Sequence, residues 1–248
     1  MKIRFQLLTL VYLCLCLFSG LLYQVIILYF CLCIHEIGHV FIIKLLKKKI
    51  TLLEISPLGG IFTIDGCQND HNYKELLIYL GGPCFSLLLY GVFKWLDVNE
   101  VLIASAHYVL IMNLLPLIPL DGGKILMTIK QYVLPYKLVL KLINILSIIM
   151  GVIIIIICIK TTSLIIILMS FICINLKNYG NIKIEYYTFL WYKYLHSNKN
   201  LPHKIVIKPS LNKQKIYNSF YKGYYHLFYV SNYFYDEEEI LKRLLISK

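Results

Sequence analysis

His35 and His39 flank a glutamate in Cys33-Ile34-His35-Glu36-Ile37-Gly38-His39-Val40, an H-E-x-x-H array inside a run that is almost wholly apolar from Leu21 to Leu46. Residues four apart on a helix lie one turn apart on one face, so two imidazoles can bind a single zinc ion. Glu36 projects beside them, where a carboxylate can take a proton from metal-bound water. In a long soluble chain such an array arises readily by chance. Here its location argues otherwise, because charged groups at the centre of a spanning helix cost roughly 2.5–3.5 kcal/mol each on insertion scales.

A catalytic zinc takes three protein ligands and keeps one position open, and this helix supplies two of the three. A second polar cluster stands at Asn113-Leu114-Leu115-Pro116-Leu117-Ile118-Pro119-Leu120-Asp121-Gly122-Gly123. Asp121 is the candidate third ligand. Two prolines disrupt the helix there, and the backbone groups they free are tolerated at membrane depth only under cover of protein or water. The simpler reading, that these residues merely end a helix at the interface, accounts for the turn but not for Asn113 upstream. His107 is better suited to a structural, hydrogen-bonded role, and His71, His196, His203 and His226 lack ligand spacing. The eight cysteines fall almost entirely in apolar runs, where thiols behave as small hydrophobes. Neither a disulfide nor a cysteine metal site is expected.

The elements that must position these groups belong to a membrane protein: 59% of the 248 residues are hydrophobic and 15% charged. The pattern predicts an α-helical polytopic protein with six transmembrane helices, a short membrane-associated β element and a small cytoplasmic α+β C-terminal appendage. The spans are Phe5 to about Gly20, Leu21–Leu46, Leu76–Leu96, Val101–Leu120, Val139–Ile159 and Ser163–Leu176, with the first helix retained rather than cleaved as a signal. Ile50–Ile64, broken by Pro57-Leu58-Gly59-Gly60, reads as two short strands around a turn. Gly122–Lys137 reads as a loop or surface segment. The net charge of +12 sorts by topology: cationic side chains cluster at the chain start, around Lys44–Lys49 and across Lys124–Lys141. On the other side stand only Lys94 and Lys160, which places both termini in the cytoplasm. No nucleic-acid partner is expected, and the bilayer is the natural partner of the basic, aromatic tail. In that tail, Lys204–Ile207 and Tyr225–Val230 read as strands, and Asn212–Lys222 and Asp236–Leu245 as helices, the second with its acids at the favourable N-terminal end.

H-E-x-x-H in an early membrane helix and Asn-x-x-Pro-x-x-Pro-Leu-Asp-Gly-Gly in a later one resemble the site-2 protease family of intramembrane zinc metalloproteases. Gly81-Gly82-Pro83 and Pro57-Leu58-Gly59-Gly60 are similar to that family too. Its coverage runs to about Asn178, dividing the chain into a protease domain, 1–178, and an appendage, 179–248, about half the size of a CBS pair. Size and span number look most like the sporulation stage IV subtype, whose members activate a membrane-associated pro-sigma factor in the mother cell. The resemblance implies one zinc ion on His35, His39 and Asp121, with Glu36 as proton carrier and Asn113 orienting substrate or stabilising an oxyanion. It also implies a membrane-associated protein substrate, membrane inhibitor or regulatory proteins as further partners, and a bacterial cell-membrane location, around the forespore for this subtype. Three rivals remain: a catalytically silent relative that only binds partners; a metal or proton transporter, for which His107 alone gives thin support; and a different intramembrane enzyme, for which the sequence offers no Gly-x-Ser-x-Gly and no paired intramembrane aspartates.

Overall fold

A computed structural model describes residues 2–5, 22–56, 59–64, 70–157, 162–208, 213–230 and 233–246. The chain forms two compact units, one comprising Met1–Asp65, Leu77–Leu115 and Leu120–Gly122, the other Gly66–Leu76, Pro116–Pro119 and Gly123–Lys248.

In the first unit, strand β1 (Lys2–Phe5) lies parallel to β2 (Ile50–Ser56), which pairs antiparallel with β3 (Gly59–Ile64). The two strands expected around Pro57 are present, and β1 is an addition to them. Phe5, expected to open the first membrane helix, instead closes β1, and the remainder of that expected helix lies outside the described residues. Helix α1 (Leu22–Leu45) carries the two histidines and stops where Lys47 takes a positive φ of 54°. Helix α2 (Asn72–Trp95) follows, its first turn belonging to the second unit and the rest to the first. Helix α3 (Glu100–Leu114) is capped by the Asn99 side chain, which accepts from the Val101 N–H at 2.8 Å. It ends at Leu114, short of the expected Leu120, because Pro116 biases the residue before it away from helical backbone. Ile27, Cys31, Ala106 and Val109 bury the contact between α1 and α3.

Gly122–Lys137, expected as a loop or surface segment, is largely helical: Asp121–Gln131 forms helix α4. No proline falls between Pro119 and Pro135, and Asp121 sits at the helix N-terminus, where a carboxylate is favoured by the exposed N–H groups.

In the second unit, α5 (Tyr136–Ile157) packs along α6 (Thr162–Leu195). Helix α6 begins at the expected sixth span but continues without a break through residue 178. Strands β4 (His203–Lys208) and β5 (Tyr225–Val230) are parallel, and β6 (Tyr233–Asp236) pairs antiparallel with β5. A single turn, α7 (Lys213–Tyr217), lies between β4 and β5, and α8 (Glu237–Leu245) closes the order. Tyr186, Phe189 and Leu190 of α6 share one buried core with Val206, Phe220, Phe228, Ile240 and Leu241.

Among the described residues, three helices are long and apolar enough to cross a membrane, α1, α2 and α5, with α3 a shorter apolar helix. Large apolar side chains stand exposed along α1, among them Ile26, Phe30, Ile37 and Phe41. Exposed apolar surface of this extent belongs against lipid, so this is an integral membrane protein.

A polar network is enclosed beneath the second sheet. Lys193 donates to the Tyr224 carbonyl at 2.7 Å and pairs with Glu237. Glu237 Oε2 accepts from the His226 N–H at 2.8 Å and from His226 Nδ1 at 2.6 Å, and His226 Nε2 accepts from the Tyr221 N–H at 2.9 Å. His226 therefore uses one nitrogen as donor and the other as acceptor, the neutral form. Burial pushes its pKa down to about 4, against the pull of Glu237. An unfolded chain protonates this ring near 6.5. Between these values the unfolded chain binds more protons, so the stability contributed by the neutral ring is complete above about pH 6.5 and lost as pH falls toward 4. Amide exchange in the full chain, corrected for intrinsic rate, should show β5 and α8 losing protection across that window, on the order of 3 kcal/mol.

Candidate metal centre

Helices α1 and α2 approach each other through glycine. A Cβ on Gly38 would fall 2.4 Å from the Gly81 carbonyl oxygen, and one on Gly81 would fall 2.7 Å from the Gly38 carbonyl oxygen. Small residues at such crossings let backbones come close in a membrane. One residue on, Gly82 places bare backbone against the two imidazoles: a Cβ there would lie 2.3 Å from His39 Nε2 and 2.5 Å from His35 Nε2.

Asp121, at the first position of α4, completes the set. Its Oδ2 is 2.9 Å from His35 Nε2 and 2.9 Å from His39 Nε2, and the two ring nitrogens are 3.2 Å apart. All three residues are buried. A short turn delivers the carboxylate there, and Cβ atoms on Gly122 or Gly123 would collide with the carbonyls of Leu114, Leu115 and Leu117.

The other ring nitrogens are held by α2. His39 Nδ1 donates to the Ile78 carbonyl at 2.7 Å, and His35 Nδ1 is 2.8 Å from Ser86 Oγ. Because Ile78 offers only an acceptor, His39 Nδ1 carries the hydrogen and the neutral ring's Nε2 presents a lone pair. That lone pair faces a carboxylate oxygen and a second imidazole nitrogen, a grouping that either a shared proton or a cation among them holds together. Two imidazoles and a carboxylate are a donor set that zinc takes, and bonds of about 2.0–2.1 Å in a tetrahedron separate ligand atoms by roughly 3.3 Å. The 3.2 Å between the ring nitrogens matches this, and the two 2.9 Å spacings to Asp121 are somewhat shorter. Partners of this kind on the second nitrogen fix ring orientation and tautomer in metal sites.

Glu36 follows His35 on α1 and is half-buried. Asn113 is buried near the end of α3, its Nδ2 donating to the Val109 carbonyl at 3.0 Å. His107 is exposed, its ring 5.2 Å from that of Tyr90, and does not join the cluster. Ser86 and the Ile78 carbonyl were not anticipated from the sequence. Ile78, Gly82 and Ser86 recur every four residues, so one face of α2 lines the centre. A lone serine four residues after the second glycine of an apolar run was the available signal.

No protein-family model matches the sequence. A zinc metalloprotease of Methanocaldococcus jannaschii is 31% identical over 120 residues, covering 43% of this chain and 34% of that protein. Stage IV sporulation protein FB of Bacillus subtilis is 28% identical over 114 residues, covering 42% of this chain and 39% of that protein. The matched stretch thus spans little more than a third of the length of these curated relatives. Among solved structures, a site-2 protease from Methanocaldococcus jannaschii superposes with a TM-score of 0.53 at 22% identity, covering 74% of this chain and 89% of that one. The fold is that of a site-2 protease, and the resemblance carried by the motifs is present in sequence and in architecture alike.

Gly82→Ala should abolish tight metal binding, because its methyl group would occupy the position the two Nε2 atoms need. Ser86→Ala should weaken zinc binding by about 10-fold, the lower end of the effect of losing a ligand's hydrogen-bond partner. Chelator competition on the purified full chain measures both.

Proposed function

We propose that this chain, similar to site-2 proteases in motif, sequence and fold, is an intramembrane zinc metalloprotease. The observation that carries the proposal is the convergence of His35 Nε2, His39 Nε2 and Asp121 Oδ2 on one point, with Glu36 in the same helical turn. His35, His39 and Asp121 hold the ion. Zinc supplies Lewis-acid chemistry when bound, polarising a carbonyl and acidifying water. Glu36 accepts the proton of the attacking water and passes it to the leaving amine. Asn113 orients the substrate or stabilises the developing oxyanion through its amide.

A transmembrane helix hides its amide bonds, so the substrate must be held extended near the centre. Strands β1 and β3 are the edges of a three-stranded sheet to which a peptide can add, and β3 packs against α1. We read the protein as crossing the membrane six times with both termini in the cytoplasm, cleavage falling near that face, and residues 179–248 as a cytoplasmic appendage to a protease domain of 1–178. Its sheet and helices are about half the size of a CBS pair. The substrate is a membrane-associated protein, with a pro-sigma factor processed in sporulation as the first candidate, a reading that leans on the similarity to Stage IV sporulation protein FB.

Glu36→Gln should retain zinc and lose at least roughly 100-fold in cleavage rate, the contribution expected of a positioned proton carrier. Co-expression with membrane-tethered substrates, pro-sigma factor first, followed by gel analysis, measures this. Undiminished cleavage by Glu36→Gln would overturn the assigned chemistry. Failure to process any sporulation-type substrate would remove the subtype and leave the protease.

A further inference from the structure

Between α3 and α4, residues 115–120 lie outside both helices, with Pro116 and Pro119 in place of two donors. Irregular backbone at membrane depth must find its partners in surrounding protein. The Ile118 peptide groups find theirs on the α5–α6 pair. The Ile118 N–H donates to Ser147 Oγ at 3.0 Å, and its carbonyl accepts from Asn175 Nδ2 at 2.6 Å. Asn175 Nδ2 also donates to the Phe171 carbonyl one turn back on α6, at 2.8 Å, which fixes the amide's direction. Ser147 is 1% exposed and Asn175 is fully buried. Both interrupt strongly apolar helices, where a serine and an asparagine are retained against the cost of inserting them.

Ile118 stands three residues before Asp121. Pro119 has its φ fixed by its ring, and Asp121 is already in the first turn of α4. Few soft torsions therefore separate the clamped peptide from the carboxylate, and a displacement at Ile118 reaches Asp121 almost undiminished. A misplacement of about 1 Å is enough to degrade a preorganised site.

We propose that Ser147 and Asn175 are positioning residues for the third metal ligand, clamping the Ile118 peptide from both sides so that the chain enters α4 with Asp121 in reach of the ion. The proposal rests on the zinc reading of the site. Neither residue touches the metal, so their effect is on where Asp121 stands. A purely structural role would lower the stability of the metal-free protein and leave affinity and ligand geometry alone.

The test uses the purified full chain in detergent, read by zinc affinity in chelator competition and by the visible absorption of the cobalt(II)-substituted protein, which reports ligand geometry. Wild type binds one equivalent. Ser147→Ala and Asn175→Leu should each weaken zinc by about 10-fold or more and alter the cobalt spectrum, while Ser147→Thr, which keeps the hydroxyl, restores both. If Asn175→Leu does not fold, the Ala and Thr variants at 147 carry the test. Affinity within twofold of wild type and an unchanged spectrum in Ser147→Ala would overturn the proposal, as would a loss that Ser147→Thr fails to restore. A wild-type chain that binds neither zinc nor cobalt would overturn the metal reading itself and this inference with it.

Discussion

Two imidazole nitrogens and a carboxylate oxygen lie 2.9–3.2 Å apart in the buried interior of the first unit, and the surrounding structure is arranged around that fact. Without a proton or a cation among them they repel, and in hydrocarbon no water would screen them. The imidazoles are held in place from behind, by Ser86 Oγ and the Ile78 carbonyl. Gly82 brings the α2 backbone against their faces, and the Gly38–Gly81 crossing sets the distance between the helices that makes this possible. A helix pair separated by ordinary side chains would leave the rings room to turn away from Asp121. Close backbone packing is thus the condition for the ligand geometry, and small residues on both helices are the condition for the packing.

The candidate ligand residues were legible because each is chemically out of place in its surroundings. Two histidines and a glutamate in one helical turn, and an aspartate after a double proline, stand out in an apolar sequence however the chain folds. Strands β2 and β3 were legible because β-branched residues on either side of a Pro-Leu-Gly-Gly break carry a local signal. What stayed hidden depends on non-local partners. The four residues of β1 are a strand only because β2, about fifty residues later, offers them a parallel edge. Helix α4 was concealed by its own two glycines, which read as a loop but occupy a first turn where bulkier side chains would collide with neighbouring carbonyls. His226 gave no sign of burial, since its neutral state is set by Glu237 and Tyr221, and the former lies in a different element.

The second unit uses buried polar groups at two further points. Lys222 pairs with Glu75 at 2.6 Å, and Asn72 Nδ2 donates to the Lys222 carbonyl at 3.1 Å. Both acceptor and donor sit in the first turn of α2. Removing one partner of such a pair costs far more than the pair contributes, since the survivor is left as an uncompensated buried charge. The turn before β5 and the beginning of α2 are therefore held in one arrangement rather than several. Lys193, Glu237 and His226 play the same part at the other side of the sheet, where α6, β5 and α8 meet.

Helix α6 is 34 residues long, about 51 Å at a rise of 1.5 Å per residue. That is roughly 20 Å more than the thickness of a hydrocarbon layer, about 30 Å. Near its middle the helix carries Asn175, hydrogen-bonded to the Ile118 carbonyl. Farther along it carries Tyr186, Phe189, Leu190 and Lys193, all sealed into the core of the C-terminal sheet. One unbroken helix thus joins the core of that sheet to the peptide three residues before Asp121.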